Sequence, residues 1–207
     1  MPTGIYHITH LDNLASMIAK GALLAISKLR EGQSEYSTIA HQSIQDQRSS
    51  TAVPCGPGGV LHDFVPFYFA PRSPMLCAIS NGRVASCPNQ EDVVHLVSAA
   101  EVILDAGLGF AFTDGHAIMA WTEFYDDLAD LDKVDWPLMK ATYWRDTLDD
   151  MDRKRRRQAE FLVHESTPWE WIAEIVVMQK SVEDKVRKIV MREGDTTPVR
   201  TRRSWYY

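Results

Sequence analysis

Short apolar runs rich in β-branched and aromatic residues recur along this chain without a regular helix between each pair, and that spacing limits the fold more than any single motif. Ile5-Tyr6-His7-Ile8-Thr9 alternates in the manner of a strand. Phe64 to Phe69, Val93 to Val97, Phe110 to Thr113, Glu160 to Val163 and Ile175 to Met178 read the same way, with a last strand inside Val199 to Tyr207. Strands separated by short helices and long loops predict an α+β fold, since a doubly wound sheet needs a helix after each strand. No repeat and no linker rich in Pro, Gly and Ser divides the 207 residues, so a single domain over 1–207 is expected.

Helix signals are brief. Asp12 is placed to cap a helix carrying Leu14, Met17 and Ile18, closed by Gly21. Ser73-Pro74 supplies an N-cap and first turn, with Met75, Leu76 and Ile79 behind it. Ser98-Ala99-Ala100-Glu101 has the form of a capping box opening a helix that Gly107 closes. Thr167-Pro168 predicts a helical turn, and Ser181 predicts the cap of a helix over 182–192. Trp121, Phe124, Tyr125, Leu128 and Leu131 recur at helical spacing and predict a buried stripe. Ser27 to Thr51 is polar and predicts a long functional loop, ending at a tight turn in Gly56-Pro57-Gly58-Gly59.

Several chemistries are excluded. The glycine turn matches neither GxxxxGK[ST] nor GxGxxG, so neither phosphate cradle is present. His62-Asp63 has no serine on a GxSxG elbow to serve. Cys55, Cys77 and Cys87 form no CxxC pair, and His7 and His10 lack partner ligands, so no metal site is expected. No basic start followed by an apolar run and no stretch near the ~20 apolar residues of a membrane span is present, which predicts a cytoplasmic protein without a membrane partner. Net charge is -6, awkward for a nucleic-acid partner, but Arg153 to Arg157 form an unbroken basic run. On their residues alone, His7 reads as a satisfied core histidine, Glu160 as an edge charge and the basic run as a solvated face.

Taken in order, Tyr6-His7-Ile8-Thr9-His10, the run from Gly58 to Phe69, Ser73-Pro74-Met75-Leu76, Phe112-Thr113-Asp114-Gly115-His116 and Gln158-Ala159-Glu160 resemble the motif series of DarT DNA ADP-ribosyltransferases. The resemblance spans nearly the whole chain and closes with Ser204-Trp205-Tyr206-Tyr207. It implies a compact relative of the poly(ADP-ribose) polymerase and diphtheria-toxin catalytic core, with a split, mostly antiparallel sheet. It also implies NAD+ as co-substrate and, position by position, a set of site residues. His7, Ile8 and Thr9 would hold the nicotinamide ribose and amide, with Ser16 and Leu24 at the edge of that pocket and Met75 near the nucleotide. Arg48 falls on the family's essential arginine, the segment from Glu35 to Val53 becomes the loop over NAD+, and Glu160 becomes the catalytic glutamate. The stretch from His116 to Glu160 would present DNA, with His116 near the target base and Arg155, Arg156 and Arg157 guiding phosphates.

What the resemblance implies in function is a toxin transferring ADP-ribose to a thymidine base of single-stranded DNA, opposed by a DarG-type macrodomain antitoxin; branches acting on guanosine leave the base open. Departure of nicotinamide leaves an oxocarbenium-like sugar, which a carboxylate at the 2'-hydroxyl stabilises. An acceptor nitrogen on the Watson-Crick edge is hidden in a duplex, so the strand must be single or the base flipped. A guanidinium stays charged, so Arg48 fits an electrostatic role better than that of a proton acceptor. Two alternatives remain: a transferase of the same fold acting on RNA or protein, and a nucleic-acid-binding module without chemistry.

Overall fold

A computed structural model describes residues 2–33, 36–87 and 89–207. The expected α+β architecture is present as an eight-stranded sheet in the order β10-β9-β4-β1-β3-β7-β5-β6, accompanied by a two-stranded ladder of β2 and β8. The strands are β1 (Gly4–His10), β2 (Ala22–Leu24), β3 (Phe64–Tyr68), β4 (Val93–Ala99), β5 (Phe110–Thr113), β6 (Phe124–Tyr125), β7 (Glu160–His164), β8 (Ser166–Pro168), β9 (Glu174–Val177) and β10 (Val199–Thr201). Helices are α1 (Leu14–Lys20), α2 (Ile26–Glu31), α3 (Gln42–Arg48), α4 (Pro74–Ser80), α5 (Ala100–Asp105), α6 (Trp136–Lys140), α7 (Arg153–Arg156) and α8 (Lys180–Arg192). Every neighbouring pair in the large sheet is antiparallel except β10 on β9.

The sheet is split where the sequence carries a proline. β1 pairs with β4 over seven residues but meets β3 at the single pair Tyr6↔Tyr68. Pro66, in the middle of β3, has no N–H to give to a ladder. Its carbonyl accepts from His7 Nδ1 at 2.8 Å, so the edge of β3 where that N–H would sit is the one facing β1. The imidazole takes the place of the missing ladder, and the two halves of the sheet diverge beyond it.

Phe67, Phe110, Phe112, Phe161 and Val163 belong to the main core with Ile5, Leu96 and Ile175. Val182, Val186 and Val190 of α8, spaced by four, bury a stripe against the same cluster. The alternate residues of β7 point to the opposite face, where Leu162 packs with Phe64, Leu61 and Ala111. A separate cluster of Ile8, Leu76, Ile79, Val93 and Tyr206 forms elsewhere.

Several local signals act as expected. Gly21 ends α1 in the left-handed region at φ 65°, and Ser73 Oγ accepts from Leu76 N at 3.1 Å with Pro74 in the first turn. Others are overturned. Asp12 does not cap α1; its own N–H donates to His10 Nδ1, and Asn13 stands at the cap with its side chain turned elsewhere. The capping box at Ser98 fails because Ser98 Oγ donates to Trp171 O and Glu101 accepts from Thr3 N, both tertiary contacts. The segment 27–51 contains α2 and α3 rather than one long loop. The aromatic stripe is no helix: Phe124 and Tyr125 form β6, Leu128 and Leu131 lie in a 3-10 turn, and Trp121 is 61% exposed. Thr167-Pro168 lies in β8 before a 3-10 turn, and Gln179, not Ser181, precedes α8.

Candidate active site

An open cleft lies at the divergence of β1 and β3, lined by residues from both strands and from the helices around them. His7, Ile8, Thr9, Ser16, Leu24, Arg48, Met75, His116 and Glu160 all line it. These are nine of the twelve residues expected at the site; the other three, Arg155 to Arg157, lie outside it. The nine come from β1, α1, β2, α3, α4, the β5–β6 connection and β7, so the fold brings together positions far apart in sequence.

Arg48 closes α3 and Glu160 opens β7. Arg48 Nη1 donates to Glu160 Oε2 at 2.7 Å, and the two residues are 7% and 3% exposed, a buried ion pair on the wall of an open cleft. A second donor reaches the carboxylate from the backbone, since Ala117 N–H approaches Oε1 at 3.3 Å. Arg48 Nη2 is buried without a protein partner. Unsatisfied buried donors are costly, so a cleft-lining guanidinium with a spare N–H fits a ligand that supplies an acceptor. Anionic or polyhydroxylated groups such as phosphates and riboses meet that description.

Burial holds the His7 imidazole below its ordinary pKa, against the raising effect of its bond to Pro66. Because a carbonyl only accepts, Nδ1 carries the proton and Nε2 keeps its lone pair. His116 is likewise depressed by burial, with Glu160 pulling it upward and Arg48 downward. Both are neutral near pH 7. Tyr68, which the motif reading passed over, stands directly across the ladder from Glu160 and lines the cleft; burial and the Glu160 charge raise its phenol. A tyrosine opposite a glutamate in adjacent antiparallel strands could have been found by setting Phe64-Val65-Pro66-Phe67-Tyr68 against Glu160-Phe161-Leu162-Val163-His164.

From the segment 35–53 expected to fold over NAD+, Tyr36 to Ala40, Ile44, Gln45 and Arg48 line the cleft; its first residue, Glu35, lies outside the described residues. Asn13 anchors it. The Asn13 amide accepts from Ser37 N at 2.8 Å and donates to Ser37 O at 2.9 Å, while also donating to Thr9 Oγ1 at 2.9 Å. Gln45 Oε1 lies 3.0 Å from His62 Nε2, tying α3 to the turn before β3.

Arg155, Arg156 and Arg157 are not an open basic face. Arg155 pairs with Asp114 and Asp152. Arg156 pairs with Asp135 at 2.7 Å and with Asp150 and Asp152. Arg157, 4% exposed, donates to Leu138 O and Arg72 O, so it holds the end of α6 against the corner before α4. Expected as guides for phosphate, all three donate hydrogen bonds to groups inside the protein, while Arg157 Nε is buried without a partner. Among the described residues no group of three His, Cys, Asp or Glu side chains could hold a metal ion, and no helix is long and apolar enough to cross a membrane.

The family model described as “ssDNA thymidine ADP-ribosyltransferase, DarT” matches residues 6–207. A DNA ADP-ribosyl transferase of Thermus sp. (strain 2.9) is 43% identical over 208 residues, covering 100% of this chain and 97% of that protein. Structures of Thermus sp. 2.9 DarT superpose closely: the complex with ADP-ribosylated ssDNA at a TM-score of 0.93 and 42% identity, the complex with NAD+ at 0.88 and 40%, each covering 100% of this chain and 97% or 98% of the other. A DNA ADP-ribosyl transferase–DNA ADP-ribosyl glycohydrolase fusion protein of Thermosipho africanus is 25% identical over 90% of this chain and 45% of its own length.

Proposed function

The chain belongs to the DarT family of single-stranded-DNA thymidine ADP-ribosyltransferases, and on that premise we propose how its residues move ADP-ribose from NAD+ to a thymidine base, as a toxin. The observation that carries the assignment of roles is the buried Arg48–Glu160 pair on the cleft wall, with a spare donor on Arg48.

Glu160 acts on the ribose. A carboxylate offers about four lone-pair sites, so it can accept from a ribose hydroxyl while staying paired to Arg48 and to Ala117 N–H. As the bond from C1' to the nicotinamide nitrogen breaks, its electron pair leaves with neutral nicotinamide, and Glu160 steadies the positive charge left on the sugar. Thymine N3 then bonds to C1' and gives up its proton, to Glu160 directly or through water. Arg48 fixes the carboxylate through Nη1 and offers Nη2 to the nucleotide phosphates or to charge developing on the base.

NAD+ is the co-substrate in this reading, its nicotinamide end beside His7, Ile8 and Thr9, with Ser16 and Leu24 at the rim and Met75 along its length. Residues 36–53 fold over it. The stretch 116–160 presents the single strand, with neutral His116 close to the base edge, and all 207 residues act as one domain. We assign no metal to the reaction. A DarG-type macrodomain antitoxin is the proposed partner, supported by the fused glycohydrolase of the Thermosipho relative. The cytoplasm is the proposed compartment, because the DNA substrate resides there.

The test is to incubate the protein with NAD+ labelled in its ADP-ribose part and, separately, single-stranded DNA, RNA or a protein mixture. Label on thymidine-containing oligonucleotides, lost in homopolymers without thymidine, is the expected result. Label on RNA or protein alone overturns it.

A further inference from the structure

Arg155 does not line the cleft, yet it organises the turn that does. Its Nη1 donates to Asp114 Oδ1 at 2.9 Å and to Thr122 Oγ1 at 3.2 Å, while Nε and Nη2 grip Asp152 as a fork at 2.8 and 2.7 Å. Its backbone carbonyl accepts from His116 N at 3.0 Å. Thr122, held by the guanidinium, passes its own hydroxyl proton to His116 O at 2.8 Å. His116 is therefore fixed at both its amide and its carbonyl by Arg155 or by a residue bonded to it. The next residue, Ala117, delivers its N–H to Glu160 Oε1.

Gly115 completes the arrangement. A Cβ built on it would lie 2.9 Å from Arg155 Cζ and 3.0 Å from Cγ, and closer still to Nη1, so any larger residue must shift either the Arg155 side chain or the turn itself. The absence of a side chain at 115 and the presence of a planar fork at 155 are one fitted unit.

We propose that Arg155 is a positioning residue for the transfer step: it sets the 114–117 turn so that the His116 ring and the Ala117 amide meet the Glu160 carboxylate in their working geometry. This rests on the ADP-ribosyltransferase reading and replaces the phosphate-guiding role suggested by the basic run. Lysine cannot stand in, because a single ammonium lacks the fork that spans Asp114 and Asp152. The nucleotide half of the cleft, built from β1, the Asn13–Ser37 anchor and α3, meets this unit at Glu160, to which Arg48 of α3 and Ala117 both donate.

Steady-state kinetics with labelled NAD+ and a thymidine-containing oligonucleotide test it in the intact protein. For Arg155→Gln we expect kcat to fall by about 10- to 100-fold, as small misplacements near reacting groups do. KM for both NAD+ and the oligonucleotide should stay within about twofold, and Arg155→Lys should not restore kcat. Gly115→Ala should lower kcat in the wild-type background and cost nothing further once Arg155 is replaced by Ala, since the obstructing guanidinium is then gone. A raised oligonucleotide KM with a flattened salt dependence and unchanged kcat would make Arg155 a DNA contact and overturn the proposal, as would full activity in Arg155→Lys. If Arg155→Gln does not fold, a folded Gly115→Ala variant with wild-type kcat overturns it by itself. A wild-type protein that labels no oligonucleotide instead counts against the function.

Discussion

Arg48 Nη1 and Glu160 Oε2 meet at 2.7 Å although 112 positions separate them, and both are buried where an open cleft passes. Pairing of this kind fixes a carboxylate in one orientation before substrate arrives, which is what stabilising a short-lived cation requires. It also makes each partner's structural and chemical contributions separable by substitution.

Glu160→Gln keeps the shape and a carbonyl acceptor but removes the charge. Transfer to an oligonucleotide should fall by about 10^2- to 10^3-fold, the scale on which single electrostatic groups act in such sites. Leaving Arg48 as a buried cation without its counter-charge should cost up to about 3–5 kcal/mol of stability, read as a lowered Tm. Turnover at the original rate, assayed below that Tm, would remove Glu160 from the chemistry.

For Arg48→Lys, the charge beside Glu160 remains but the second donor of the fork is lost. Fold and Tm should change little, while kcat/KM for NAD+ drops by about 10- to 100-fold, equivalent to about 1.4–3 kcal/mol. Intact turnover in this variant would show that charge alone suffices.

Asn13→Ala releases Ser37 from its two-point hold and so loosens the segment over the cleft. Hydrogen bonds of this type contribute roughly 1 kcal/mol each, so KM for NAD+ should rise by about 5- to 30-fold with kcat changed far less. An equal fall in kcat with KM unchanged would mean the anchor acts on the reacting groups instead.

Acid should destabilise the fold through its buried histidines. His95, fully buried between Tyr206 Oη and Pro71 O and near His7, is held down to about 4 by desolvation. A depressed imidazole takes up its proton more readily in the unfolded chain, so stability is complete above pH 6.5 and declines as pH falls from there through about 4. That window is worth about 3 kcal/mol for His95 alone. A Tm measured from pH 7 to pH 4 should fall, and His95→Gln should flatten the slope; a parallel slope in the variant would assign the loss to other groups.

Arg156→Gln breaks pairs to Asp135, Asp150 and Asp152 that hold the 135–152 stretch together. Limited proteolysis should cut faster within that stretch, and the salt dependence of oligonucleotide binding should stay unchanged. A shallower salt slope would return this arginine to the phosphate contacts that the sequence alone pointed to.

The strands were legible because β-branched and aromatic runs mark them whatever their partners, and β1, β3, β4, β5, β7 and β9 lie where the alternation places them. The helices α2 and α3 were not: with only Ile26, Leu29 and Ile44 to anchor them, they are short segments held by tertiary contact, and periodicity cannot register so few turns. Trp121 to Leu131 shows the opposite error, a helical spacing produced by a two-residue strand followed by a 3-10 turn. Glu101 and Ser98 matched a local cap but found partners in Thr3 and Trp171 that no local rule can see. The cleft residues were reached through family resemblance, since nothing in spacing alone couples Arg48 to Glu160. The ion pairs of Arg155 and Arg156 lie beyond what the basic run itself shows: acidic residues from 114 to 152 meet its charge once the chain folds. Pro66 was the one plain signal left unread, a residue without an amide hydrogen in mid-strand, marking where the sheet opens.

The strand order has a consequence for timing during synthesis. β7 sits between β3 and β5, so the half of the chain bearing Arg48 folds against a place still vacant until Glu160 leaves the ribosome. At typical elongation rates that interval is on the order of ten seconds. On the proposed role of Glu160, a nascent or prematurely terminated product that lacks this acidic partner transfers no ADP-ribose, so harm awaits at least the first 160 residues of the chain.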